Sequence, residues 1–335
     1  MKQFLVVVFG GMAAILAGIV ISYGGAAAWR AALPRIRSVS APSMAAVAAA
    51  VMPAPTDGTM ISGLRRTIRW TADDEEDVLA AAAASLPSAG DNRISAPAYI
   101  VEDLTGGGRT ISHDADKLMP IASLSKLAAA VVARQLISPS AHITITRNIM
   151  STYGNTAQFK VGETFTASDL LYPLLMVSSN DAAEAYAQYY GRAKFIQAMN
   201  DFTQSIGAYR TSFSDPSGLS PQNVSTASDL ALILDWIRRN DPDIMSITEL
   251  KQKTVRSHTW VNPTHFLSWS NYDGGKNGYL PEANRTAASL FTVGPNKDIY
   301  AVIVLGSASR DTDEIKLLGM VNGDNQQASA VSSTR

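Results

Sequence analysis

Residues 120–130 read PIASLSKLAAA, and this stretch decides which fold we expect. It places Ser123 and Lys126 at the head of an apolar run that favours an α-helix. Residues three apart on a helix lie on one face, with their Cβ atoms about 5–6 Å from each other. The lysine amine can therefore reach the serine hydroxyl, and the pair has the geometry of a nucleophile and its base.

A lysine acts as a base only in its neutral form. With a pKa near 10.4, a free lysine is neutral in about one molecule in 2,500 at pH 7. Bringing the pKa of Lys126 down to about 7 means disfavouring the ammonium by roughly 4–5 kcal/mol, which requires burial and a second cation nearby. Lys276 is the natural candidate for that cation.

Ser123 and Lys126 form an S-x-x-K tetrad, and two further short motifs follow it in order. They read SSN at 178–180 and KNG at 276–278, and they match the S-x-N and K-[TS]-G elements of serine penicillin-recognising enzymes. Each also has a plainer interpretation. Ser178 and Asn180 could cap the following helix, and the Asn-Gly pair could form a hairpin turn. Three matches in the right order favour the catalytic interpretation.

The composition excludes several kinds of chemistry. The chain has 335 residues, no cysteine, 28 basic and 29 acidic residues, so we expect no thiol catalysis, no disulfide and no nucleic-acid partner. No two histidines stand at metal-ligand spacing, which argues against a metal site and against a cofactor of that kind. The histidines are His113, His142, His258 and His265.

The N-terminal third predicts export rather than a folded domain. Residues 4–29 carry no charge and would span about 39 Å as a helix, more than the roughly 30 Å of bilayer hydrocarbon. We expect residues 1–30 to be a membrane anchor or a cleaved signal peptide, and residues 31–95 to be an Ala/Ser/Pro-rich linker with a short helix over 71–84. The domain would then lie in the bacterial cell envelope, outside the cytoplasmic (inner) membrane. Residues 323–335 favour a disordered tail.

Residues 96–322 predict one domain of α+β class. An opening hairpin is expected over 98–102 and 109–111, followed by a helical block and then by further strands. Terminal strands on either side of a helical block pair into one antiparallel sheet flanked by a helical subdomain. The helices are predicted at 123–137, 167–177, 181–190, 193–206, 227–238 and 312–321, and the later strands at 255–258, 276–280, 286–293 and 299–305.

From about residue 98 to residue 321 the chain resembles the D-alanyl-D-alanine carboxypeptidases, the low-molecular-weight penicillin-binding proteins of bacterial wall metabolism. Three longer stretches carry the resemblance beside the short motifs: GETFT at 162–166, SNDAA at 179–183 and DPSGLS at 215–220. The resemblance implies the transpeptidase fold shared by serine β-lactamases and penicillin-binding proteins. It also implies the peptidoglycan stem peptide as substrate and β-lactams as covalent inhibitors.

The resemblance assigns catalytic roles to four side chains. Ser123 would attack the carbonyl of the penultimate D-alanine, giving an acyl-enzyme that water hydrolyses. Lys126 would take the hydroxyl proton, and Ser178 would relay a proton to the leaving amine. Asn180 would hold Lys126 and the substrate amide.

The resemblance also predicts how the substrate is bound. Lys276 would attract the terminal carboxylate as a point charge, with Asn277 and Gly278 beside it in the same motif. The backbone N–H groups of Ser123 and Tyr279 would stabilise the oxyanion.

The chain departs from the family pattern at two positions. Asn277 stands where Thr or Ser is usual, and Asn284 stands where Gly is usual. We expect these changes to affect efficiency and β-lactam affinity more than the fold.

Three other functions stay open at this point. One is endopeptidase action on peptidoglycan crosslinks, which uses the same chemistry. Another is a β-lactamase, although no glutamate lies in a clear loop motif for a deacylating base. The third is a non-enzymatic domain that binds or senses the wall.

Overall fold

The computed structural model describes residues 93–106 and 110–332, together with two short strands, Val6–Val7 and Ile19–Val20, which pair antiparallel. Of residues 322–332 it describes only the backbone. The chain divides into two compact units, Met1–Gly90 and Asp91–Arg335. Apart from those two short strands, the predicted anchor lies outside the described residues, as does nearly all of the linker, including its short helix. In the part that is described, no helix is both long and apolar enough to cross a membrane.

The second unit is built around a five-stranded antiparallel sheet. Its strand order is β9-β10-β11-β1-β2, so the first strands of the unit lie beside the last. The pairs β3–β6, β4–β5 and β7–β8 form small separate ladders. The strands are β1 (Ala98–Asp103), β2 (Ile111–His113), β3 (Met119–Pro120), β4 (His142–Thr144), β5 (Thr164–Thr166), β6 (Val224–Ser225), β7 (Gln252–Val255), β8 (His258–Val261), β9 (Tyr272–Leu280), β10 (Asn284–Val293) and β11 (Asp298–Ser307).

Helices cover both faces of this sheet. They are α1 (Ser125–Leu136), α2 (Ala167–Met176), α3 (Asn180–Tyr190), α4 (Arg192–Ser205), α5 (Ala227–Asn240), α6 (Asp243–Thr248) and α7 (Arg310–Ser332). Strand β11 is apolar without alternation because both of its faces are buried. Ile303 and its face belong to the main core with α5, while Val302 and Val304 belong to a second cluster with Leu317 and Leu318 of α7.

Local signals set where individual helices begin. The GETFT stretch ends in a capping box, in which the Asp169 N–H donates to the Thr166 hydroxyl and the Thr166 N–H donates to the Asp169 carboxylate. Helix α2 therefore starts at Ala167, as predicted. The predicted helices at 181–190, 193–206 and 227–238 are likewise present, each within two residues of its expected bounds.

Two expectations about secondary structure were wrong, and several short elements were not predicted. The strand predicted at 255–258 is a turn between β7 and β8, because Arg256 adopts a left-handed φ of 54°. The last helix does not end at Val321 but continues to Ser332, so most of the expected disordered tail is helical. Its Gln and Ala residues favour a helix and no proline interrupts it. The strands β3 to β6 and the helix α6 were not predicted, because each is very short.

Candidate active site

Ser123 lies in a sharp turn directly before helix α1. It is the middle residue of a 3₁₀ turn, Ala122–Leu124, and the α-helix itself begins at Ser125 rather than at Ser123 as predicted. Ala122 has a left-handed φ of 49°, which turns the chain abruptly at this point. The Ser125 hydroxyl donates to the Ala122 carbonyl over 2.8 Å and holds the turn closed.

Lys126 lies on the first turn of α1 and is completely buried. Its Nζ is 2.9 Å from the Ser123 Oγ, 2.7 Å from the Asn180 Oδ1 and 2.6 Å from the Ser217 carbonyl oxygen. Burial lowers the pKa of Lys126 well below its usual value, the charge of Lys276 lowers it further, and Asp215 opposes the shift. The tetrad is thus assembled with its amine in contact with the nucleophile and in surroundings that favour the neutral form.

The Ser217 carbonyl is held in place by the Asp215 carboxylate. That carboxylate accepts hydrogen bonds from the N–H and hydroxyl of Ser217, at 2.7 and 2.8 Å, and from the N–H of Gly218 at 2.8 Å. The buried Asn223 amide donates to the Asp215 carbonyl and to the Ser125 hydroxyl, both over 2.9 Å. The DPSGLS stretch is therefore a rigid loop fastened to the start of α1.

The same loop contacts the nucleophile segment so closely that it requires glycine. Gly218 has a φ of 87°, and a Cβ there would lie 1.9 Å from the Ala122 carbonyl oxygen and 2.9 Å from the Ser123 nitrogen. In the sequence, this stretch is distinguished only by its resemblance to the family. An Asp followed by Ser-Gly is a recognisable turn signal, but the contact with Ala122 depends on the tertiary fold.

Ser178 and Asn180 flank the true cap of α3. The Ser179 hydroxyl accepts from the Ala182 N–H over 3.1 Å, so the capping role belongs to Ser179 and not to either predicted residue. The Asn180 amide donates to the Tyr153 carbonyl over 2.8 Å, which turns its Oδ1 toward Lys126. Asn180 therefore lies in contact with the predicted base.

Ser178 is strained and its hydroxyl is unused. It has a φ of 57°, and its Oγ is buried without a hydrogen-bond partner among the described residues. Backbone strain of this kind costs about 1–3 kcal/mol and is concentrated at functional sites. The strained backbone and the unpaired hydroxyl are features typical of a functional residue.

The KNG motif lies within strand β9 and is not a turn. Gly278 faces the nucleophile, because a Cβ there would lie 2.8 Å from the Ser123 nitrogen. The next strand is tied to the same segment, since the Thr286 hydroxyl donates to the Ile121 carbonyl over 3.1 Å. The half-exposed Tyr279 follows at the end of β9, with the Arg285 guanidinium over its ring.

Lys276 is almost fully buried, and its Nζ donates to the Asn277 carbonyl over 2.7 Å. Burial lowers the pKa of Lys276 to about 7, and the charge of Arg310 contributes to the same shift. Lys276 is also the neighbouring charge that lowers the pKa of Lys126. The two lysines are therefore electrostatically coupled, as the sequence suggested.

The two asparagines that depart from the family pattern have different surroundings. Asn284 adopts a left-handed φ of 52° at the start of β10, a conformation that Gly and Asn tolerate best. Its presence in place of Gly is thus explained by backbone conformation. Asn277 is half-buried and lines a cavity between β9 and α7.

The described residues offer no group of three or more His, Cys, Asp or Glu side chains that is arranged to hold a metal ion. The structure brings three of the predicted site residues to Ser123 or to its base, whereas Ser178 has no hydrogen-bond partner among the described residues and Asn277 lines the cavity between β9 and α7. Lys126, Asn180 and Gly278 lie against Ser123 or against its base, and Lys276 acts through its charge.

The buried carboxyl group of Asp181, next to Asn180, leads to a prediction about the pH dependence of stability. It is fully buried, neither carboxylate oxygen has a hydrogen-bond partner among the described residues, and burial raises its pKa to about 6. An acid whose folded pKa is raised contributes stability only while protonated, and this stability is lost as pH rises from about 4 through 6. Asp181→Asn should therefore be more stable than wild type at pH 7.5, by about 1–3 kcal/mol.

Urea unfolding between pH 3.5 and pH 8 measures this difference, with the exposed Asp201→Asn as the matched control. The advantage of Asp181→Asn should disappear below about pH 4, where Asp181 is protonated in the folded protein and becomes protonated in the unfolded chain as well. Equal stability of the variant and wild type at pH 7.5 would contradict the prediction.

Comparisons with known proteins agree with the family resemblance seen in the sequence. The family model described as Peptidase S11, D-alanyl-D-alanine carboxypeptidase, matches residues 82–308. The D-alanyl-D-alanine endopeptidase of Pseudomonas aeruginosa is 30% identical over 249 residues, which cover 70% of this chain and 79% of that protein. The D-alanyl-D-alanine endopeptidase of Escherichia coli K12 is 31% identical over 195 residues, or 56% of this chain and 61% of that relative.

A solved structure shares the fold. The D-alanyl-D-alanine carboxypeptidase of Mycobacterium tuberculosis H37Rv superposes with a TM-score of 0.62 at 27% identity, covering 69% of this chain and 93% of that one. The fold is therefore the penicillin-binding-protein fold that the sequence predicted. The family model covers more than half of the chain, and the chain belongs to the Peptidase S11, or D-alanyl-D-alanine carboxypeptidase, family.

Proposed function

We propose that this protein is a serine D-alanyl-D-alanine carboxypeptidase, which removes the terminal D-alanine from peptidoglycan stem peptides through an acyl-serine intermediate. The observation that carries the proposal is the set of contacts around the Lys126 amine. The Asn180 and Ser217 oxygens at 2.7 and 2.6 Å are acceptors only. They take both N–H groups of a neutral amine, which leaves its lone pair directed at the Ser123 hydroxyl.

The reaction follows from this orientation. Lys126 takes the proton of Ser123 as its Oγ bonds to the carbonyl carbon of the penultimate D-alanine. The oxyanion that forms accepts hydrogen bonds from the Ser123 and Tyr279 N–H groups. Collapse breaks the peptide bond. Ser178, whose hydroxyl is buried without a protein partner among the described residues, relays the proton that Lys126 took from Ser123 to the leaving amine, and D-alanine departs. Water then hydrolyses the acyl-serine.

Lys276 supplies the charge for the substrate's terminal carboxylate. It is buried at the edge of the cleft, where the attraction is less screened by water. Because its pKa is about 7, a bound carboxylate favours its ammonium form. Asn277 and Gly278 complete this part of the site, and β-lactams, which also carry a carboxylate, would acylate Ser123.

We further propose that the protein works in the bacterial cell envelope, on the outer side of the cytoplasmic membrane, where peptidoglycan lies. The uncharged stretch at 4–29 supports a tether to the inner membrane or export by a cleaved signal. No cofactor is required by the proposed chemistry.

Endopeptidase action on crosslinks is the second candidate. It is favoured by one observation, the name of the Pseudomonas and Escherichia relatives. The two activities share every step at Ser123 and differ in what lies beyond the scissile bond.

Digestion of purified muropeptides separates the candidates. The protein is incubated with an uncrosslinked pentapeptide fragment and with a crosslinked dimer, with Ser123→Ala as the control, and the products are identified by mass spectrometry. Loss of one alanine from the pentapeptide supports a carboxypeptidase, and conversion of dimer to monomers supports an endopeptidase. Binding of both fragments without cleavage would contradict both and indicate a non-enzymatic wall-binding domain.

A further inference from the structure

One peptide group joins the proposed base to a buried carboxylate. The Ser217 carbonyl accepts from the Lys126 amine over 2.6 Å, and the Gly218 N–H, which belongs to the same peptide group, donates to the Asp215 Oδ1 over 2.8 Å. The Asp215 residue is 8% exposed and has no part in the mechanism above. Nucleophile, base, peptide group and carboxylate therefore form a continuous chain of hydrogen bonds that begins at the Ser123 Oγ.

The carboxylate is held firmly at its end of this chain. Its Oδ1 also accepts from the N–H and the hydroxyl of Ser217, and its Oδ2 accepts from the Ser220 N–H over 2.7 Å. The amide of the fully buried Asn223 donates to the Asp215 carbonyl. Because the carboxylate binds the N–H groups on both sides of the Ser217 Cα, the Ser217 carbonyl cannot turn away from Lys126 without breaking several of these bonds.

This arrangement matters most when the base becomes charged. As Lys126 takes the Ser123 proton, a cation forms at a completely buried position. A carboxylate that accepts from one end of a peptide group polarises it and strengthens the hydrogen bond that its carbonyl accepts. In a Ser-His-Asp triad, a buried aspartate likewise orients the base and stabilises the cation that forms, without taking the proton itself.

We propose that Asp215 is a positioning residue for the base, and that it acts on Lys126 through the Ser217–Gly218 peptide group. Asp215 holds the Ser217 carbonyl where it orients the neutral amine, and its negative charge stabilises the ammonium that forms. The proton moves from the Ser123 Oγ to the Lys126 Nζ and is not passed on to Asp215. This inference rests on the proposed function, in which Lys126 is the base.

The charges around Lys126 give the proposal a signature in the pH dependence of the reaction. Burial and the charge of Lys276 on β9 lower the pKa of Lys126, and the charge of Asp215 raises it. Asp181 of α3, the buried acid beside Asn180, has a pKa raised to about 6 and is present in every variant below. Removing the charge of Asp215 should lower the pKa of Lys126, so the acid limb of the pH–rate profile should move to lower pH.

The test measures the second-order rate constant for acylation by a fluorescent penicillin from pH 4 to pH 9, in wild type and in Asp215→Asn. The asparagine keeps an Oδ1 that accepts the bonds from Ser217 and Gly218 but carries no charge. We expect the plateau rate to fall about 10- to 100-fold, because a weaker and less well oriented base takes the proton more slowly. The acid limb should move to lower pH in the same variant.

Asp229→Asn is the matched control. Asp229 of α5 is a buried carboxylate that also accepts from a backbone N–H and from a hydroxyl, those of Arg210 and Thr211, both over 2.8 Å. Its charge is not among those that act on Lys126 in the part of the chain that the structure describes. We expect Asp229→Asn to lose stability and to keep its acid limb at the wild-type pH. An acid limb that moves equally in both variants, or in neither, would overturn the proposal.

A double-mutant cycle separates an action on the base from a general effect on the loop. If Asp215 acts through Lys126, Asp215→Asn should slow acylation less than about twofold when Lys126 is already methionine. A residue that merely holds the nucleophile segment in place would slow acylation by the same factor in both backgrounds, and that result would contradict the proposal.

Ser217→Ala carries the test if Asp215→Asn does not fold. This variant keeps the charge of Asp215 and loses only the hydroxyl that donates to it over 2.8 Å. We expect acylation to slow about threefold, with the acid limb at the wild-type pH, and the loss to vanish in Lys126→Met. A loss that persists in Lys126→Met would count against an action through the base.

Failure of the proposed function is distinguishable from failure of this inference. The ionisation of Lys126 is followed directly by the ¹³C chemical shift of its Cε in lysine-labelled protein, and the signal is assigned by its absence in Lys126→Met. If penicillin does not acylate wild type, the proposed function fails. A lower pKa of Lys126 in Asp215→Asn than in wild type would still support the inference, and an equal or higher pKa would overturn it.

Discussion

In Lys126→Met, penicillin is expected to acylate Ser123 about 10³-fold more slowly than in wild type. Methionine fills the buried space with a chain of similar length but has no lone pair that can take the hydroxyl proton. The rate is measured as the second-order rate constant for fluorescent penicillin labelling, and the fold is checked by circular dichroism. The Asn180 and Ser217 oxygens lose a donor, at a cost of about 1–3 kcal/mol, which is partly offset because an amine is no longer buried.

Lys126→Arg is the control that separates a base from a charge. Arginine keeps the positive charge but does not become neutral at any usable pH. If Lys126 acts as the base, Lys126→Arg should be as slow as Lys126→Met within about tenfold. Acylation of Ser123 in Lys126→Arg at near the wild-type rate would show that only the positive charge is needed. It would contradict the assignment of Lys126 as the base.

Gly218→Ala is expected to reduce turnover at least about 100-fold, although Gly218 has no side chain that could take part in the reaction. The added Cβ would lie 1.9 Å from the Ala122 carbonyl oxygen, so the Ala122–Ser123 segment has to move. A displacement of about 1 Å at a reacting group costs roughly 10² in rate. Turnover and unfolding are both measured, and we expect a loss of stability beside the loss of activity.

Gly207→Ala is the matched control for this effect. Its φ of 86° is nearly that of Gly218, but a Cβ there would meet no atom within 4 Å. It carries the same backbone penalty of about 1–2 kcal/mol and should leave kcat unchanged. Equal kcat values for the two variants would show that the contact with Ala122 does not position the nucleophile.

The parts of the structure that could be predicted from the sequence are those governed by periodicity and local signals. The contact between the Lys126 amine and the Ser123 hydroxyl follows from a spacing of three residues. The helices α2 to α5 follow from their apolar patterns and from caps such as Thr166. The strands β10 and β11 follow from apolar runs of strand length, and the pairing of β11 with β1 follows from their position at the two ends of the domain.

The rest depends on tertiary contacts that leave little trace in the sequence. The left-handed Ala122 shifts the start of α1 past Ser123, and alanine gives no sign of such a conformation. The Asp215 loop and the buried Asn223 make contacts with residues far away in the chain. The cap at Ser179 depends on which of two neighbouring serines begins the helix. The burial of Glu314, which is 1% exposed, was not predicted for the same reason, since a glutamate in a terminal helix ordinarily faces water.

The acyl-serine at residue 123 is the step on which the other assignments depend, and mass spectrometry detects it directly. The protein is exposed to penicillin, its intact mass is measured, and the adduct is located by peptide mapping. We expect a single adduct on the peptide that contains Ser123, and none in Ser123→Ala. A folded wild-type protein that stays unmodified, or an adduct that persists in Ser123→Ala, would contradict the assignment of Ser123 as the nucleophile.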